Sequence, residues 1–92
     1  QKLAAGIMDV WRDAIDHKGR LLIVEKDFMY LAQRGSDENL IYDIEPPYNR
    51  FSYIKDAVDD IMEKILTNGG DVEFVDHGVL KDYNHIALIR FY

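Results

Sequence analysis

The chain has 92 residues, 48% of them apolar, and 17 acidic against 11 basic side chains leave a net charge of −6. That balance excludes a surface that grips phosphates through many Lys and Arg contacts, and the apolar share excludes a disordered tail. With no cysteine there is neither a disulfide framework nor a thiolate metal site, and no apolar run nears the roughly 20 residues that span a bilayer.

Such a composition fits one soluble domain in a reducing, cytoplasmic setting. Residues 1–92 open without an initiator Met straight into a helical pattern, so they read as a single α/β domain of a longer protein. The charge is uneven. Residues 1–50 hold nine acids and seven bases, and residues 51–92 hold eight acids and four bases.

Leu3, Ile7, Trp11, Ala14 and Ile15 recur at helical spacing, predicting a helix from Leu3 to Lys18 that Gly19 ends. Arg20 to Val24 is an unbroken apolar strand, which predicts a central place in a sheet. Glu25-Lys26-Asp27 reads as a turn into a second strand over Phe28 to Ala32, making a hairpin. Gln33 to Asn39 is a polar loop, and Leu40 to Ile44 a short strand candidate that also offers an edge for dimerisation.

Glu45 to Arg50 contains Pro46-Pro47 and reads as a surface connection, because proline lacks a donor and restricts its predecessor. Ser52 is the expected N-cap of a second helix carrying Ile54, Val58, Ile61, Ile65 and Leu66 on one face. Asn68-Gly69-Gly70 stops it. Val72, Phe74 and Val75 then form a strand, and Ile86 to Phe91 a last one whose apolar run places it inside the sheet. The order of elements predicts a mixed sheet with at least two packed helices.

No constellation assembles an active site. Asp9, Asp13 and His17 line one helical stripe and carry metal-ligating atoms, yet a solvated face opposite Leu3, Ile7 and Trp11 explains them more simply. Asp56, Asp59, Asp60 and Glu63 form a denser acidic stripe suited to a basic partner or to water alone. As an acid/base pair they fail, since nothing on an exposed helix raises one pKa above another. Asp76-His77-Gly78 and Asn84-His85 fall at strand ends, where sites gather in α/β sheets. Ser36 and Ser52 are the only serines, and no nucleophile motif accompanies either histidine. Gly69-Gly70 follows a helix rather than opening one, which excludes a phosphate loop. Tyr30, Tyr42, Tyr48 and Tyr53 with Arg34 and Arg50 suggest an alternative, a small RNA-binding module using the loop of residues 30–50.

The stretch Ile61 to Asp76, followed by Gly78-Val79-Leu80 and His85 to Tyr92, resembles the end of the third, C-terminal domain of archaeal and eukaryotic class 1 release factors and Pelota-like proteins. It is similar above all to their bacterial relatives. Ile86-Ala87-Leu88-Ile89-Arg90-Phe91 matches the terminal strand of that domain, and Gly19-Arg20 with Leu21 to Glu25 resembles its first strand. Residues 27–50 carry hardly any of the likeness.

The resemblance implies the three-layer α/β/α fold with a mixed sheet shared with kink-turn-binding ribosomal proteins. It also implies a non-catalytic domain, without cofactor or metal, that recruits a protein partner or the ribosome. The Gly-Gly-Gln tripeptide of peptide release does not occur, as Asp71 follows Gly69-Gly70. The acidic balance argues against direct RNA contact. The expected contact surface is Asp56, Asp59, Asp60 and Glu63 on the helix with His77 and Asp82 in the loop between the last two predicted strands.

Overall fold

The computed structural model describes residues 3–43 and 53–91. A four-stranded sheet holds β1 (Leu3–Ala5), β2 (Gly19–Glu25), β6 (Asp71–Val75) and β7 (Ile86–Arg90) in the order β1-β7-β2-β6. β7 runs antiparallel to both its neighbours, and β6 runs parallel to β2. A smaller antiparallel sheet holds β3 (Ala32–Arg34), β4 (Ile41–Asp43) and β5 (Tyr53–Ile54) in the order β4-β3-β5. The two helices are α1 (Ile7–Ile15) and α2 (Ala57–Thr67), and a short 3-10 turn covers Lys81–Tyr83. The predicted α/β class, with two main helices and a mixed main sheet, is what forms.

One face of the main sheet makes the core. Leu22 pairs with Leu88 and Val24 with Ile86, and all four are fully buried with Val10, Trp11, Ile61 and Ile65 from the helices. Both helices therefore share that face. Alternate residues Leu21, Ile23 and Ile89 point the other way and stay half-buried. Ala32, Ile41 and Ile54 of the small sheet join the same core. The central places predicted for β2 and β7 hold.

Four local expectations change. The first helix does not start at Leu3, because Leu3–Ala5 pairs along Ile89–Ala87. Gly6, at φ 85°, turns the chain out of that strand and into α1. Nor does Gly19 end α1: the helix stops at Ile15, His17 takes a φ of 61°, and Gly19 lies in β2. A Cβ at Gly19 would run into Ile65 and Leu88, so that glycine serves close packing rather than a turn.

The hairpin of Arg20–Val24 with Phe28–Ala32 does not form. Asp27 adopts a φ of 65°, Phe28 N–H closes a turn on Glu25 C=O, and the chain leaves for the small sheet. The strand beginning at Ala32 meets β4 and β5 instead. Finally, Ile54 is buried in β5 and not on α2, while Leu66 lies exposed on the helix's outer side. Ser52, Pro46-Pro47, Tyr48, Arg50 and Ile44 lie outside the described residues.

Candidate functional site

The acidic stripe of α2 starts with a residue that has structural work. Asp56 is the N-cap: its carboxylate accepts from Val58 N–H at 3.0 Å and from Tyr30 N–H at 3.2 Å. It thus ties the helix start to the 26–31 loop. Asp59 and Asp60 follow in the first turn, where the helix dipole favours anions. Asp59 and Glu63 are exposed and Asp60 is half-buried. Burial pushes the Asp60 carboxyl above its ordinary value; the Arg34 charge opposes this, and Asp59, Glu63 and Asp56 add to the rise.

Arg34 reaches this stripe from β3. It lines a groove of about 280 Å³ with Trp11, Ile15, Asp60, Glu63 and Lys64. It also lines a second groove of about 380 Å³ with Met29, Lys55, Asp56, Asp59 and Asp60, where Lys55 offsets part of the acidic charge. The stripe is therefore a shallow, mainly acidic surface flanked by two grooves. Its chemistry suits basic side chains and lacks a nucleophile or an isolated general base.

His77 lies elsewhere, beyond β6, in a cleft of about 370 Å³ with Glu25, Asp27, Phe28, Met29 and His85. Met29, largely exposed, borders both this cleft and the groove beside Asp59, so the two parts flank one loop. Asp82 is exposed on the 3-10 turn and borders neither of them. Of the six expected contact residues, Asp59, Asp60 and Glu63 lie together on α2, Asp56 caps that helix, and His77 and Asp82 lie to the side.

The residue that composition did not disclose is Glu25. It is 2% exposed at the end of β2, and its Oε2 accepts from Leu80 N–H at 2.9 Å and lies 2.9 Å from His85 Nδ1. Burial alone pushes the Glu25 carboxyl up. The amides of Gly78 and Leu80 and the neighbouring His85 outweigh it and hold the group below the usual carboxylate range. Leu80 is itself buried, so Glu25 pins the whole 78–85 segment to the sheet. Asn84 and His85 both sit at positive φ, 57° and 72°, a pair of costly conformations that this anchoring holds.

Beside His85 is a cavity of about 460 Å³ between the start of α1, the 26–31 loop and the end of β4. Rings of His85, Phe28 and Tyr30 line it in a row, with centroids 5.5 Å apart for His85–Phe28 and 6.4 Å for Phe28–Tyr30. The Tyr30 hydroxyl donates to Asp43 at its far end.

The stripe of Asp9, Asp13 and His17 is not drawn together. Asp13 is buried with Arg12 at 3.4 Å and Arg90 at 3.8 Å, and Asp9 pairs with Arg12 at 3.5 Å. Among the described residues no group of three His, Asp or Glu is placed to hold a metal ion. The tyrosine–arginine set divides too. Tyr42 and Tyr53 stand on either side of Gln33 in one row of the small sheet, both well exposed, whereas Arg34 turns to the acidic stripe.

No protein-family model and no curated protein matches the sequence. Solved structures do. The C-terminal domain of a peptide chain release factor from Methanosarcina mazei superposes with a TM-score of 0.65 at 19% identity, over 99% of this chain and 70% of that one. The fold is that of a release-factor C-terminal domain. Saccharomyces cerevisiae Dom34, a translation termination-like factor, gives a TM-score of 0.64 at 18% identity, and the archaeal termination factor aRF1 gives 0.56 at 15%. Both matches cover 99% of this chain but only 22% and 20% of theirs, so the chain spans about a fifth of those proteins. The release-factor fold accounts for the order of β2, α2, β6 and β7 that the sequence motifs had suggested. Among the described residues no helix is long and apolar enough to cross a membrane.

Proposed function

We propose that residues 1–92 are the C-terminal domain of a longer, bacterial release-factor-like protein of the cytoplasm. In it the domain performs no chemistry and docks a protein partner or the ribosome through the acidic face of α2. The observation that carries this reading is the end-to-end match to three translation-factor chains. Of these, Dom34 is a factor in RNA quality control that interacts with Hbs1. Asp59, Asp60 and Glu63, flanked by two grooves, are the proposed contacts, with His77 at the adjoining cleft and Asp82 at the periphery.

The test is sucrose-gradient sedimentation of lysate containing the tagged whole protein, with and without residues 1–92. Ribosome co-sedimentation that fades on deletion supports docking by this domain. Co-sedimentation that survives it places docking elsewhere in the protein, and a protein that stays at the top of the gradient removes the ribosomal half of the proposal.

A second reading has one specific support. Tyr42, Gln33 and Tyr53 make an exposed row on which unpaired bases would stack. Against it stand the net charge of −6 and the engagement of Arg34 with Asp60. Titration with a structured RNA at low and high salt separates the two: tight binding with a steep salt slope favours RNA, and no binding at low salt ends that reading.

A further inference from the structure

We propose that the cavity between α1, the 26–31 loop and β4 is a receptor for a single arginine side chain presented by a protein partner. Three observations lead there. The cavity is about 460 Å³, within the roughly 300–1,000 Å³ of small-ligand sites. Its wall includes the neighbouring rings of His85, Phe28 and Tyr30, tilted 40° and 51° to one another, so a planar cation has aromatic partners on that side. The row ends at the Asp43 carboxylate, the partner of the Tyr30 hydroxyl.

A guanidinium fits that order. Its planar, weakly hydrated cation stacks on an aromatic face and forks onto a carboxylate. Lysine offers a point charge and no plane, so it matches the row less well.

The sign of the ligand follows from the charges around the cavity. Asp9 and Asp43 border it, and no Lys or Arg does among the described residues. Asp9 is offset in part by Arg12, at 3.5 Å. His85 adds no net positive charge, because Glu25 stands 2.9 Å behind its Nδ1. The opposing contribution is the start of α1, whose amide ends amount to roughly half a positive charge. That is smaller than the full charge of Asp43 alone. A cation is favoured, and an anion held on the helix start is the alternative the charges disfavour.

This goes beyond the docking face of α2 and rests on the partner reading only for the source of the arginine. The cavity shares no lining residue with the grooves beside Asp59, Asp60 and Glu63. Changes on α2 and changes in the cavity therefore test different claims.

The experiment titrates the chain with a blocked Gly-Arg-Gly peptide, followed by amide chemical shifts in NMR. Matched citrulline and lysine peptides and inorganic phosphate serve as comparisons. The expected result is saturable shifts at Phe28, Tyr30, Asp43 and His85 with the arginine peptide. Citrulline, of nearly the same shape but uncharged, is expected to bind about tenfold more weakly or not at all, and Asp43→Asn to weaken arginine by about tenfold. The citrulline comparison uses the unaltered protein, so it stands even if the variant misfolds. Equal binding of citrulline and arginine, an Asp43→Asn variant that folds and binds as before, shifts caused by phosphate alone, or no shifts at these residues would each overturn the proposal.

Discussion

Glu25 shows how a single buried charge sets the shape of a functional edge. Its carboxylate gathers Gly78, Leu80 and His85 onto the end of β2, and two consecutive left-handed residues follow from that anchoring. Because its pKa in the folded chain lies below the unfolded value, the ionised form is the stabilising one. That contribution is present above the unfolded carboxylate value and is lost as pH falls through the folded one. Acid unfolding is therefore expected to begin with the 78–85 segment, and Glu25→Ala to lower the melting temperature at neutral pH while flattening its acid dependence. Thermal melts from neutral pH down through the carboxylate range check this; parallel pH profiles for variant and wild type would refute it.

Sequence reasoning missed Glu25 because a charged residue at the end of an apolar run looks like the start of a turn. Only the long-range contact with His85, 60 residues on, reveals its burial. Asp13 was hidden for the same reason. Its helical spacing put it on a polar face, but Arg90 from β7 closes over it.

At the scale of elements, hydrophobic periodicity located α2, β2, β6 and β7, and composition gave their order. Boundaries went wrong where a partner strand, not local propensity, decided. Leu3–Ala5 is as compatible with a helix as with a strand until β7 offers an antiparallel edge. Phe28 to Leu31 has strand composition, yet the left-handed Asp27 sends it away from β2.

Two substitutions test the element-level account. Asp56→Ala removes the cap of α2 and its tie to Tyr30 N–H, and is expected to cost about 1–2 kcal/mol in denaturant unfolding. Loss of less than a few tenths would mean the cap is incidental. Gly19→Ala places a methyl against the buried Ile65 and Leu88, with an expected cost of about 1–3 kcal/mol. A neutral result would show that the β2–α2 packing yields.

At the scale of the whole molecule, the match to release-factor C-terminal domains rests on architecture, at 15–19% identity. The motifs that foreshadowed it lie in β2, α2, β6 and β7, the elements that build the main sheet and its cover. The small sheet and the pocket beside His85 were not legible, because each joins segments far apart in the chain. The candidate surface was half legible. The acidic stripe was readable from spacing alone, but nothing local announced that Arg34 would face it or that Asp56 would be spent on a cap.

The central claim is that this acidic face makes the contact. Its most direct measurement is ribosome co-sedimentation of the tagged whole protein carrying Asp59→Ala, Asp60→Ala and Glu63→Ala together. Alanine keeps helix propensity, so the domain should stay folded, with a small loss of helix-dipole stabilisation that a melting curve reads. Co-sedimentation is expected to drop toward that of the protein lacking residues 1–92. Binding equal to wild type, in a variant shown to be folded, would contradict it.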